Sequence, residues 1–246
     1  MVVPVTFHDT HTGMSLHDAS DHLDATFDLG TGPSFADTVT TLTDTRAALA
    51  HCRRAATINQ TNARRLAITK TTVGDGRVII FRNGARARTR TTVRAADIKH
   101  RNPRAYEGSR ILVPRVSVTA PAGRPIPAVP GVLDIERDLT LPQLVRAMDN
   151  LTNARRDLKP VGDAARDRLI EIAELTAWDG LVRAFTGGWK VQTAVRQYSA
   201  AALEERYPAV YRRLARTEEV PARRGYYVLV ADGVDPEDEM DEFDGD

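Results

Sequence analysis

The chain has one cysteine, Cys52, in 246 residues, which excludes an internal disulfide framework and fits a reducing compartment. Aromatic side chains make up only 6%, so a core must be built mainly from aliphatic residues and alanine. No apolar run approaches the roughly 20 residues that span a bilayer. The opening Met1-Val2-Val3-Pro4-Val5 is too short and too uncharged for a secretory signal. A soluble, intracellular protein is expected. Catalytic signatures are missing as well: there is no Gly-x-Ser-x-Gly elbow, no Gly-rich phosphate loop ending in Lys-Ser/Thr, and no His-Glu-x-x-His. Gly74-Asp75-Gly76 lies between strands rather than before a helix, so a turn explains it. Glu171/Glu174 and Asp163/Asp167 fall at helical spacing and read as a solvated helix face. The expectation is a protein that is not an enzyme, with no catalytic residues and no cofactor.

What is present is charge, unevenly placed. The formal net charge is +1, from 34 basic and 33 acidic side chains. Asp235 to Asp246 hold eight acidic groups and no basic one, and without them the body has 34 basic against 25 acidic side chains, a charge of +9. A basic body with an acidic tail suits contact with nucleic acid or an acidic protein surface, the tail acting as competitor or spacer. A disordered, solubilising terminus explains the tail alone equally well. Four of the six histidines, His8, His11, His17 and His22, lie among Asp9, Asp18, Asp21, Asp24 and Asp28. Their spacings match no closed metal site, and the segment has little apolar content to hold ligands rigid, so a mobile polar arm without metal is expected. Cys52 is flanked by His51, Arg53 and Arg54, yet a small buried hydrophobe is its expected role.

The most informative pattern is repetition. Thr61-Asn62-Ala63-Arg64-Arg65 returns as Thr152-Asn153-Ala154-Arg155-Arg156, and the stretch from Ala95 to Tyr106 returns from Ala200 to Tyr211. The second pair shares Ala-Ala, an aliphatic residue, Arg, Pro and Tyr at identical offsets. Two matches in the same order point to an internal duplication with halves of about a hundred residues. The expected class is α+β: two related helix/antiparallel-sheet lobes, 34–119 and 132–231, joined by a Pro-rich linker at 120–131. A polar arm (1–33) precedes them and an acidic disordered tail (232–246) follows. The spacing predicts helices over about 36–66, capped by Ser34 or Asp37, over 95–101, from about 140 to the second Thr-Asn-Ala-Arg-Arg, and again over 163–178. Arginines in a last turn suit the helix dipole, and a Tyr three after Pro packs a corner, so these repeated motifs read as scaffold. Strands are expected at 69–73, 77–82, 85–93, 110–119 with Pro114 at an edge, 189–198 and 225–230, the last equivalent to Val113–Val118.

Asn83-Gly84 between two such runs signals a tight hairpin pairing Arg82 with Ala85 and Arg77 with Arg90. Alternation then sorts side chains onto two faces. Val78, Ile80, Ala85, Ala87 and Thr89 form a core face. Arg77, Ile79, Phe81, Arg86, Arg88 and Arg90 form a basic face, the candidate site for a partner or for nucleic acid. Arginine grips phosphate or carboxylate with a bidentate fork, and an aromatic neighbour stacks on a base or anchors an interface. An ordinary solvated strand face is the competing explanation.

The Arg-, Ala-, Thr- and Asp-rich, Lys-poor usage looks like a high-GC actinobacterial genome or one of its phages. The opening Met1-Val2-Val3-Pro4-Val5-Thr6-Phe7-His8-Asp9-Thr10-His11, the basic body and the Asp-Glu tail resemble the recombination directionality factors of Streptomyces temperate phages that integrate with a large serine recombinase. The resemblance implies a non-catalytic protein of the host cytoplasm. Such a factor binds the serine integrase in its DNA-bound complex, redirects the coiled-coil subdomain and favours excision over integration, with direct DNA contact secondary or absent. No signature motif carries binding residues over to particular positions. The alternatives are a phage replication or recombination accessory protein that binds single-stranded nucleic acid, and a small structural phage protein.

Overall fold

The computed structural model describes residues 14–27, 31–66, 68, 70–73, 76–125, 127–129, 132, 138–222 and 224–231. The helices are α1 (Leu16–Phe27), α2 (Phe35–Arg65), α3 (Ala95–Arg101), α4 (Pro103–Gly108), α5 (Leu141–Leu175), α6 (Ala200–Arg206) and α7 (Pro208–Leu214). The strands are β1 (Lys70–Val73), β2 (Arg77–Arg82), β3 (Arg88–Thr92), β4 (Arg110–Thr119), β5 (Arg183–Ala184), β6 (Lys190–Tyr198), β7 (Arg216–Val220) and β8 (Tyr226–Ala231). They form three small sheets, in the orders β1-β2-β8, β3-β7 and β4-β6-β5. The class is mixed helix and antiparallel sheet. Among the described residues no helix is long and apolar enough to cross a membrane.

The three longer helices start at side-chain caps that the sequence spells out. Ser15 Oγ accepts from the Asp18 amide (3.1 Å) while the Ser15 amide donates to Asp18 Oδ2 (3.0 Å). Ser34 Oγ accepts from the Asp37 amide at 3.2 Å, and the Thr140 amide donates to Gln143 Oε1 at 2.9 Å. α1 corrects the expectation of an arm over 1–33: Leu16, Ala19 and Leu23 recur at helical spacing and are buried. His17 and His22 sit exposed on that helix, while His8 and His11 lie outside the described residues, as does the acidic tail. α5 corrects the expected break before Pro160, which lies inside it. Proline removes one donor from the ladder, but Leu144, Met148 and Leu151 before it and Ala165, Leu169 and Ile172 after it keep one buried helical stripe.

The chain does pass from one unit to the other inside the expected linker, between Ile126 and Pro127, but the sequence halves on either side of it are not the two units. Its two compact units each draw on both halves. Unit 1 takes the described residues up to Ala47, then Thr89–Ile126 and Lys159–Glu219; unit 2 takes Ala48–Arg88, Pro127–Leu158 and the described residues from Val220 onward. Both long helices contribute one part to each unit. The segment expected as a Pro-rich linker is anchored where it is described. Arg124 pairs with Asp44 (2.8 Å) and lies over the Trp189 ring in unit 1, and Val129 is buried with Cys52 and Leu151 in unit 2.

Unit 1 holds both Pro-Tyr copies, and they fold alike. Each is strand, short helix, break, short helix, strand: β3-α3-α4-β4 and β6-α6-α7-β7. The break falls at Asn102 (φ −150°, ψ 75°) and Tyr207 (φ −135°, ψ 56°), because a residue preceding proline is pushed out of the helical region. Pro103 and Pro208 then restart a helix at the position they favour. The Asn102 amide donates to the Ile98 carbonyl and the Tyr207 amide to the Leu203 carbonyl, both at 2.8 Å. Ile98 and Leu203 are fully buried in one shared cluster with Val93, Ala105 and Leu214, and with Tyr106 and Tyr211 against it. The hydroxyl that reaches a backbone carbonyl there belongs to Tyr198, which donates to Val93 O at 3.1 Å. The first strand of each copy pairs with the last strand of the other, β3 with β7 and β6 with β4. This makes β7, not the closing strand β8, the counterpart of β4. Pro114 lies on the edge strand β4, next to a register irregularity between Pro114 and Ser117. A second cluster in unit 1 packs α1, α2, α5, β4 and β6 around Phe35, Leu169 and Ile172.

Unit 2 holds both Thr-Asn-Ala-Arg-Arg copies. Its sheet places β2 between β1 and β8, antiparallel to each. Ile79 and Tyr227 pack against Ala63 of α2 and Leu144, Val145 and Met148 of α5. Gln60 uses its side-chain amide in place of a further strand, accepting from the Tyr227 amide and donating to the Tyr227 carbonyl, each at 2.7 Å.

Candidate partner-binding surface

The arginine hairpin does not form. A two-residue turn of the expected kind needs positive φ at both central residues, and neither Asn83 nor Gly84 has it; Gly76 does, at 67°. The hairpin that does form pairs β1 with β2, with Val73 opposite Arg77. β2 takes β8 as its other neighbour, Arg77 opposite Ala231 and Phe81 opposite Tyr227, and β3 leaves to pair with β7. Residues 83–87, where the second strand was expected to begin, are not strand.

The six expected site residues are dispersed accordingly. Ile79 is 0% exposed and belongs to the core of unit 2, so it contacts no partner. Arg77 shares its strand face and is bonded to Asp149 of α5. Phe81 remains 44% exposed, edge-on to Tyr227 with ring centroids 5.1 Å apart. Arg86 and Arg88 are exposed in unit 2. Arg90 is exposed on β3, within unit 1. Arg82, assigned no role by the hairpin argument, has its Nε and one terminal nitrogen buried without a hydrogen-bond partner.

Charge distinguishes the two units where strand alternation did not. Among its described residues unit 2 carries thirteen arginines and lysines against three carboxylates, whereas unit 1 carries nineteen against sixteen. Each of the three carboxylates of unit 2 is already matched to an arginine: Asp138 to Arg65 (3.5 Å), Asp149 to Arg77 and Asp157 to Arg156 (3.4 Å). Arg54, Arg64, Arg86, Arg88, Arg146 and Arg224 are exposed and have no ion-pair partner among the described residues. The signal was available in the sequence only as a whole-chain excess; among the described residues most of that excess falls in unit 2, while unit 1 also holds exposed arginines without an ion-pair partner, Arg101, Arg104, Arg115 and Arg213 among them.

The two copies of Thr-Asn-Ala-Arg-Arg do different work in that unit. In the first, Asn62 is buried and its Oδ1 accepts from the amides of Asp138 and Leu139 at 3.1 and 3.2 Å, while Arg65 donates to the Leu139 carbonyl at 2.6 Å. That copy ends α2, as expected, and ties down the entry to α5. The second copy lies in the middle of α5, where no helix end exists for its arginines to cap, and Asn153 is exposed.

Cys52 is fully buried, and that burial pushes its thiol up against the opposing pull of Arg155. Among the described residues no group of three or more His, Cys, Asp or Glu is placed to hold a metal ion. No protein-family model, curated protein or solved structure matches the chain.

Proposed function

We propose that this protein is a non-catalytic switch, a phage recombination directionality factor that binds a large serine integrase on its DNA and turns it from attP × attB integration to attL × attR excision in the host cytoplasm. The observation that supports it is the thirteen-to-three charge imbalance among the described residues of unit 2, six of whose exposed arginines have no ion-pair partner there. A switch of this kind needs a surface with different affinity for two states of its partner, not a reacting group. Exposed guanidinium groups recognise phosphate or carboxylate wherever the nucleoprotein complex presents it. The two copies of each motif are read as one ancestral half duplicated. The divergence between buried Asn62 and exposed Asn153 then marks where the halves have taken separate roles. The test is an excision assay with integrase and attL × attR DNA, with and without this protein. Stimulation that is lost when Arg54, Arg64, Arg86 and Arg146 are replaced by Glu supports the reading, and no stimulation by the wild-type chain overturns it.

One observation favours a second reading, single-stranded nucleic acid binding by a replication or recombination accessory protein. Phe81 offers a partly exposed ring beside Tyr227 at the end of β2 that also carries Arg82, and base–aromatic stacking is worth about 1–3 kcal/mol per base. Binding of bare single strands that weakens with salt and with Phe81→Ala, without integrase, selects this alternative.

A further inference from the structure

The described residues of unit 2 have an excess of positive charge that the carboxylates among them do not answer, and nine further carboxylates follow the last described residue in the chain. β8 ends at Ala231, inside unit 2, and residues 232–246 contain nine carboxylates and no basic side chain. We infer that this acidic segment is an intramolecular polyanion that occupies the unmatched arginines of unit 2 and competes there with the phosphate or carboxylate groups of a partner. The inference shares with the proposed function only the basic surface of unit 2.

Connectivity and reach carry it beyond charge counting. Ala231 lies opposite Arg77, so the acidic segment leaves at the start of β2, while Arg86 and Arg224 follow and precede the paired ends Arg82 and Tyr226. Those two ends of the strand pair are separated by about 17 Å at the usual rise per residue. Any fifteen residues reach at most about 50 Å, and an unstructured chain of that length spans about 20 Å on average. The segment therefore reaches the arginines flanking the far end of the sheet without being stretched. Tethering gives it an effective concentration of order 1 mM there. At physiological salt the screening length is about 8 Å, so only charges brought close to the surface compete, and rising salt weakens the tail and a nucleic-acid partner together.

With a free-peptide dissociation constant near 0.1 mM, that effective concentration makes the tail weaken partner binding by about tenfold. The experiment compares the full wild-type chain with a full-length variant in which the nine carboxylates of 232–246 are replaced by their amides. A synthetic peptide of residues 232–246 is titrated into the amide variant at about 50 mM salt, and a fluorescein-labelled duplex is titrated into both chains. The inference predicts saturable peptide binding that is lost when Arg54, Arg64, Arg86, Arg88, Arg146 and Arg224 are changed to Gln. It also predicts tighter duplex binding by the amide variant than by wild type, the gap closing as salt rises. Absence of peptide binding, or equal binding to the Gln variant, overturns it. Should the Gln variant fail to fold, the peptide titration and the duplex comparison decide alone. A negative peptide result with excision still stimulated removes this inference and leaves the proposed function; peptide binding without excision does the reverse.

Discussion

Unit 1 and unit 2 are built from the same two long helices and from both halves of the chain, yet they handle charge and repetition in opposite ways. Unit 1 nearly balances its charge and brings the Pro-Tyr copies together as near-equivalents, with Ile98 and Leu203 sharing one cluster. Unit 2 brings the Thr-Asn-Ala-Arg-Arg copies together as unequals, one buried and bonded, the other on an exposed stretch of helix. Repetition in unit 1 is explained by packing and backbone geometry. In unit 2 the repeated arginines are used unequally: Arg65 and Arg156 each pair with an aspartate, while Arg64 is exposed without an ion-pair partner among the described residues.

The equivalence in unit 1 is the easiest to break. Ile98→Ala and Leu203→Ala should each cost about 2–5 kcal/mol, because each deletes a fully buried aliphatic side chain from the same cluster. Both tryptophans, Trp178 and Trp189, lie in unit 1, so urea unfolding followed by tryptophan fluorescence reads that unit directly. Costs differing by more than about 2 kcal/mol would show that the copies are not carrying equal load. The inequality in unit 2 gives a sharper contrast with a smaller effect. Asn62→Ala should cost about 1–3 kcal/mol, since two backbone amides lose their acceptor, while Asn153→Ala should stay within about 0.5 kcal/mol. Equal effects, read by circular dichroism in urea, would remove the distinction.

The smallest effect separates the units by pH. Burial raises the Cys52 thiol in unit 2 and the Tyr198 hydroxyl in unit 1. A group whose folded value is raised holds its proton more tightly when folded. Its contribution is therefore whole below the unfolded value and is lost as pH climbs through the folded one. The unfolded values are about 8.5 for cysteine and about 10 for tyrosine, so stability should begin to fall first on account of Cys52. Cys52→Ala should flatten the part of the pH–stability curve between those two values and leave the Tyr198 part unchanged. A thiol reagent near pH 8 should label native Cys52 at least about tenfold more slowly than the urea-unfolded chain.

Helices were legible because their signals are local. Ser34 with Asp37, and Thr140 with Gln143, are caps three residues apart, and Pro103 and Pro208 restart helices by fixing their own φ. The apolar spacing of Leu16, Ala19 and Leu23 was equally local, but it was outweighed by the surrounding aspartates and histidines. Most strand positions were legible too, β5 and β7 excepted; strand partners were not. Asn83-Gly84 was a strong local hint, and it lost to β8, whose Val228, Leu229 and Val230 offer β2 an apolar neighbour that the Arg-rich run after residue 85 does not. The candidate face failed with it, and Ile79 went to the core.

By itself the sequence determined the α+β class, the caps and breaks of the helices, the existence of two repeated motifs, and an excess of positive charge ahead of an acidic tail. These follow from properties a residue has with its near neighbours, or from composition, which no fold can change. Only the tertiary structure decided that the Pro-Tyr copies of the two halves share one cluster, that β2 pairs with β1 and β8, and that most of the positive excess among the described residues falls in unit 2, where β8 ends. Those outcomes depend on which distant surfaces bury the most apolar area and satisfy the most backbone donors and acceptors, a competition that pairwise spacing along the chain does not reveal.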